Sequence, residues 1–145
     1  MQHMQRPTPT QPFPRPVLST ALLSQILDAL PMGVVIVDTE GAPIFTNRRA
    51  RELLGIGIAT AREVGPLGST YPLCVAGTHT KYPSERLPYW RALRGERAMV
   101  WDAEVRRPRG VTPLIIEAAP LRTDKRGLVL AAAVTLEALA TRTEA

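Results

Sequence analysis

Residues 33–55 read GVVIVDTEGAPIFTNRRARELLG, and this stretch decides the fold. Val34 to Val37 is a β-branched run that suits a strand. Thr39-Glu40-Gly41 interrupts it, and Pro43-Ile44-Phe45-Thr46 resumes an extended pattern. Two short strands across a turn that ends in glycine predict an antiparallel hairpin. Asn47 follows directly. Its side-chain oxygen can accept from the orphan N–H groups of a first helical turn, which predicts a capped helix just after it. Ala50, Leu53 and Leu54 give that helix one apolar face, and Gly55 suits its C-terminal end.

Working outward, residues 17–30 read VLSTALLSQILDAL. Leu18, Leu22, Ile26 and Leu30 recur at steps of four, and Leu23 and Leu27 widen the stripe, so an amphipathic helix is predicted. Ser19 or Thr20 can cap its start, and Pro31 stops it. A helix this apolar needs a cover, supplied by its own domain or by a second copy of the chain. Residues 1–16 carry five prolines and few hydrophobic side chains, and read as a disordered, extended tail.

Downstream, residues 55–83 show no period and are punctuated by glycine and proline. They read as loop with short helical turns, a long irregular segment of the kind that often carries function. PYWRALR at 88–94 reads as a short helix opened by proline and closed by Gly95. The remainder reads as strand. Over 97–106, Met99, Trp101, Ala103 and Val105 alternate with Val100, Asp102, Glu104 and Arg106. Over 114–121, Leu114, Ile116 and Ala118 alternate with Ile115, Glu117 and Ala119. Pro108-Arg109-Gly110 and Asp124-Lys125-Arg126-Gly127 supply turns. Residues 128–136 are apolar on both faces, as a central strand requires. Residues 137–145 read as the start of a C-terminal linker helix. No β–α–β crossover recurs, so the fold class is α+β: about five antiparallel strands, short helices on one face, and an N-terminal amphipathic helix.

The 145 residues, 45% hydrophobic and 21% charged, suit one globular domain, placed at 17–136. No signal peptide is expected at the N-terminus, and no apolar run approaches the roughly 20 residues of a membrane-spanning helix. No membrane contact is therefore expected from this segment. Cys74 is the lone cysteine, so no internal disulfide forms. The net charge of +5 comes almost entirely from arginine. Acids interleave with the bases, as in Arg51-Glu52, Glu85-Arg86 and Glu96-Arg97, which argues for a mixed solvated surface rather than a nucleic-acid face. Cys74 and His79 are the nearest approach to a nucleophile–base pair. The Walker A, GxSxG and HExxH patterns are missing, and only one histidine lies in the folded region. Neither a catalytic nor a metal site is expected.

Three blocks in order give the chain a family resemblance: LLSQILDALPMGVVIVDTEGAPIFTNRRARELLG at 22–55, LPYWRALRGE at 87–96, and EVRRPRG through IIEAAPLRTDKRGLVLAAAV between Glu104 and Val134. Together they resemble the PAS (sensory box) domains of bacterial sensor histidine kinases. The resemblance implies a cavity between a curved sheet and its helices, with Tyr71, Cys74, His79 and Trp90 as candidate lining residues. The stripe Leu18, Leu22, Ile26 and Leu30 is the candidate interface of a homodimer or packs on the outer face of the sheet, and the resemblance implies a cytoplasmic domain covalently linked to an output domain in a larger parent that can itself be membrane-attached. The expected role is the sensor part of a two-component histidine kinase (phosphorelay), with no enzyme activity in this chain itself. The alternatives are a sensor for a cyclic-dinucleotide enzyme or a transcription regulator, and, from another class, an Arg-rich nucleic-acid-binding module. YPLCVAG around Cys74 departs from the flavin-binding pattern, and 88–94 lacks the histidine of haem-binding members. Neither cofactor is expected, which leaves a small organic ligand or none. Thr135-Leu136-Glu137 stands where members often carry Asp-Ile-Thr.

Overall fold

The computed structural model describes residues 18–55, 73–122 and 126–141. The predicted tail at 1–16 and Tyr71 lie outside them. The elements in order are α1 (Thr20–Asp28), β1 (Gly33–Val37), β2 (Pro43–Thr46), α2 (Arg48–Leu54), β3 (Leu73–Val75), a 3-10 turn (Ser84–Arg86), α3 (Tyr89–Leu93), β4 (Ala98–Arg107), β5 (Gly110–Arg122) and β6 (Val129–Ala138). The strands form one antiparallel sheet in the order β2-β1-β6-β5-β4-β3. The sheet has six strands rather than five. The additional one, β3, is three residues long, too short to show a period. It forms because its backbone pairs with β4 at Ala103 to Val105.

The opening hairpin forms as read. Asp38 Oδ1 accepts from the Glu40 and Ala42 N–H groups at 2.9 and 3.0 Å, an Asx-type turn. Gly41 takes φ +83°, and a Cβ there would sit 2.7 Å from Tyr89 Cε2. Ser19 caps α1 by accepting from Leu22 N–H at 3.1 Å. β6 is central as predicted, but it runs through Glu137 and Ala138, which pair with Ile115 and Leu114. The linker helix expected from 137 therefore does not begin there, and no helix occupies 139–141.

The core lies between the sheet and α2 and α3. Val35, Val37, Leu54, Leu73, Leu87, Leu114, Ile116 and Leu136 are fully buried there with Tyr82 and Tyr89. In β4 the alternation read from the sequence is broken. The β4–β5 register shifts between Val100 and Ala103, a bulge that changes which face a side chain takes. Val100 packs against the core, while Met99 and Trp101 are exposed, Trp101 at 68%. Met99 and Trp101 therefore do not share the buried face of Ala103 and Val105, with which they alternate in the sequence.

Candidate functional site

Asn47 binds the N-terminal helix to the domain. Its Oδ1 accepts from Ala50 N–H at 2.9 Å, the predicted cap, and from Val34 N–H at 2.8 Å. Its Nδ2 donates to Leu27 O at 2.7 Å and Met32 O at 3.0 Å. One buried amide thereby joins the end of α1, the start of β1 and the start of α2. Asp28 adds a bond, its Oδ1 accepting from Arg48 N–H at 2.7 Å. The sequence signalled the cap. The other three bonds depend on where distant segments meet.

Beyond that anchor α1 buries none of its residues. Of the candidate interface stripe, Leu18 is 65% and Ile26 45% exposed, while Leu22 and Leu30 are half-buried. Leu23, on the widened stripe, is 44% exposed. Past α1, Met32 lies on the outer face of the sheet, where a shallow cavity of about 250 Å³ is floored by Ala119, Ala133 and Thr135 and edged by Arg97 and Glu117. Small residues at facing positions Ala119 and Ala133 leave that face open to a close-packing cover.

Among the described residues, the ligand-pocket candidates Cys74, His79 and Trp90 do not converge on one cavity. Cys74 is half-buried in β3, opposite Glu104 and bridged to Lys81. His79 is exposed in the following loop, on a crevice of about 310 Å³ shared with Arg106, Arg107 and Pro108. Trp90 is half-buried on α3 with its ring 4.6 Å from that of Tyr89, beside Gly41 of the β1–β2 turn. Cys74 and His79 thus belong to the β3 edge, and Trp90 to the side of the hairpin.

The reading missed two polar groupings. Glu104, one of the polar residues that alternate along 97–106, is fully buried. Its Oε1 accepts from Gly77 N–H at 3.0 Å and lies 3.0 Å from Arg106 Nη2, and Arg106 Nε donates to Thr78 O at 2.6 Å. The pair ties the loop after β3 onto β4. Opposite charges two positions apart on one strand were the available signal, because they share a face. Tyr82 is buried, and its hydroxyl donates to Asp102 Oδ1 at 2.7 Å. Asp102 Oδ2 accepts from Arg86 at 2.8 Å, and the Arg86 guanidinium sits 5.3 Å from the Tyr82 ring centroid. Burial, followed by the bond to Asp102, pushes the Tyr82 phenol up to about 12. Burial alone raises Tyr89 to about 12.

Five arginines of the described residues pair with carboxylates: Arg49 with Glu52, Arg86 with Asp102, Arg91 with Glu96, Arg97 with Glu117 and Arg106 with Glu104. Arg107 caps α2, donating to the Glu52 and Leu53 carbonyls. Among the described residues no cluster of three or more histidine, cysteine or acidic side chains could hold a metal. No helix there is long and apolar enough to cross a membrane.

A family model described as PAS domain matches residues 21–83. A comparison with curated protein sequences finds no match. Among solved structures, VqmA of Vibrio cholerae in complex with ligand and DNA superposes with a TM-score of 0.57 at 17% identity, over 83% of this chain and 51% of that one. The PAS domain of an HTR-like protein from Haloarcula marismortui gives 0.51 at 12% identity, over 82% and 90%. The PAS domain of Bordetella pertussis BvgS gives 0.50 at 11% identity, over 84% and 86%. At these identities the likeness is one of fold. The chain spans about half the length of VqmA.

Proposed function

The chain carries a PAS domain, and from that premise we propose that it is the sensory part of a larger signalling protein, with no catalytic role of its own. The observation that carries this reading is the contrast within α1. Its C-terminal end is bonded to buried Asn47, yet its apolar stripe stays exposed. A helix so mounted responds to whatever covers it and passes a change in that cover to β1 and α2. The occupant that fits is a second copy of the chain, with Leu18, Leu23 and Ile26 at the contact. A small organic ligand held between sheet and helices would act on the same elements from inside. A two-component histidine kinase is the output we favour, given the likeness to the BvgS PAS domain. The likeness to VqmA, solved with ligand and DNA, supports a transcription regulator as the second reading. The paired arginines support neither nucleic-acid contact by this domain nor a basic recognition face.

Light scattering on the whole chain at high micromolar concentration tests the dimer. Twice the monomer mass, halved in Leu23→Asp and Ile26→Asp, is the expected result. A monomer throughout, unchanged by either variant, overturns it. Native mass spectrometry and an absorption spectrum of freshly purified protein identify any retained ligand.

A further inference from the structure

The β5–β6 hairpin outgrows its sheet. β1 pairs with β6 only over Ala132 to Leu136, and β4 pairs with β5 only up to Ala118. The pairs Ala119↔Ala133 to Arg122↔Val129 lead into a two-stranded ribbon that, from Pro120 to Ala131, has no neighbouring strand on either side among the described residues. A two-stranded ribbon by itself is marginal in water; here Ala131 is buried, while the leucines stay exposed, Leu121 at 39%, Leu128 at 57% and Leu130 at 58%. None of the described cavities reaches Leu121, Leu128 or Leu130.

Arginines lie at the same end of the ribbon. Arg122 donates to Gly95 O at 2.9 Å and Gly127 O at 2.7 Å, both carbonyls. Arg94 adjoins Gly95 and Arg126 adjoins Gly127. None of the three pairs with a carboxylate among the described residues. Between Arg122 and Arg126 the sequence holds one acid and one further base, Asp124 and Lys125, whose charges cancel. Two copies meeting tip to tip would set these guanidinium groups against one another, so the charge disfavours a second copy and calls for an anionic cover. Exposed leucines beside guanidinium groups that lack carboxylate partners match an anionic lipid surface, which takes apolar side chains into its headgroup boundary and holds cations at its phosphates.

We propose that the exposed end of the β5–β6 ribbon, at Leu121–Arg122 and Arg126–Leu130, docks on an anionic membrane surface, with Leu128 and Leu130 entering the headgroup boundary and Arg94, Arg122 and Arg126 held by lipid phosphates and carboxylates. The lack of a spanning helix, which led to the expectation of no membrane contact, does not bear on such a peripheral site.

Sedimentation of the full chain with vesicles tests it, using phosphatidylserine mixed into phosphatidylcholine against phosphatidylcholine alone. The expected result is binding at least about tenfold tighter to the anionic vesicles, weakened by added salt. Leu128→Ser with Leu130→Ser, and separately Arg126→Gln, should weaken it, whereas Arg48→Gln, an equal charge change far from the ribbon, should not. Thermal unfolding confirms that each variant is folded. No binding by the folded protein overturns the proposal. So does binding that the leucine variant leaves intact, or that Arg48→Gln reduces as much as Arg126→Gln, since either marks general attraction of a +5 chain. Leucine-dependent capture by soluble polyglutamate without vesicle binding also overturns it, in favour of an acidic protein partner.

Discussion

Helices α1 and α2 reverse what their sequences suggest. α1, TALLSQILD, is the more apolar and buries nothing; α2, RRARELL, carries three arginines and buries Ala50, Leu53 and Leu54. The difference lies in attachment. α2 is fixed at its first turn by Asn47 and at its last by Arg107, and those two anchors press its narrow apolar face onto β1. Gly33 permits the approach, since a Cβ there would stand 3.0 Å from the Ala50 backbone. α1 is anchored only at its C-terminal end, so its leucines mark a surface rather than a core.

The sharpest test of that contrast removes the shared anchor. Asn47→Ala should cost about 4 kcal/mol, roughly 1 for the cap and 1 for each of three further bonds, read as a lower urea midpoint. Leu54→Ala, at a residue 1% exposed, should cost about 3 kcal/mol through the cavity it leaves. Alkali should weaken the core beneath α3 next. Tyr82 and Tyr89 titrate at about 12 when folded, against the ordinary 10.0. Their contribution is complete below pH 10 and is lost as pH rises towards 12, because the unfolded chain ionises first. Thermal unfolding midpoints should fall across that window, and phenolate absorbance of the folded protein should lag behind that of the unfolded chain. Leu23→Ala, at a residue 44% exposed, should change the stability of the monomer by less than about 0.5 kcal/mol. A loss near that of Leu54→Ala would mean that α1 is a core element after all.

Much of this was legible beforehand. The hairpin, the Asn47 cap, the α3 helix and the central β6 rest on signals within a few residues: β-branched runs, a capping side chain, a proline before a helix. What escaped needed contacts across the chain. β3 exists because β4 offers it an edge. The bulge in β4 exchanges Val100 and Met99 between faces, a shift that no period-two pattern records. The burial of Glu104 was not legible because the Gly77 N–H meets it only after the β3–β4 pairing forms, although Arg106 stands two positions along the same strand. The resemblance grouped Cys74, His79 and Trp90 around one cavity, and the sheet order puts Cys74 and His79 at the β3 edge and Trp90 beside the hairpin.

The sequence alone determined the class of fold, because hydrophobic period and turn chemistry act locally and already favour one pairing of neighbouring strands. Only the tertiary structure decided which apolar residues became core and which stayed surface. Burial belongs to the whole packed sheet and its anchors, and neither the stripe of α1 nor the leucines of the β5–β6 ribbon could reveal from their own sequence that they would stay exposed.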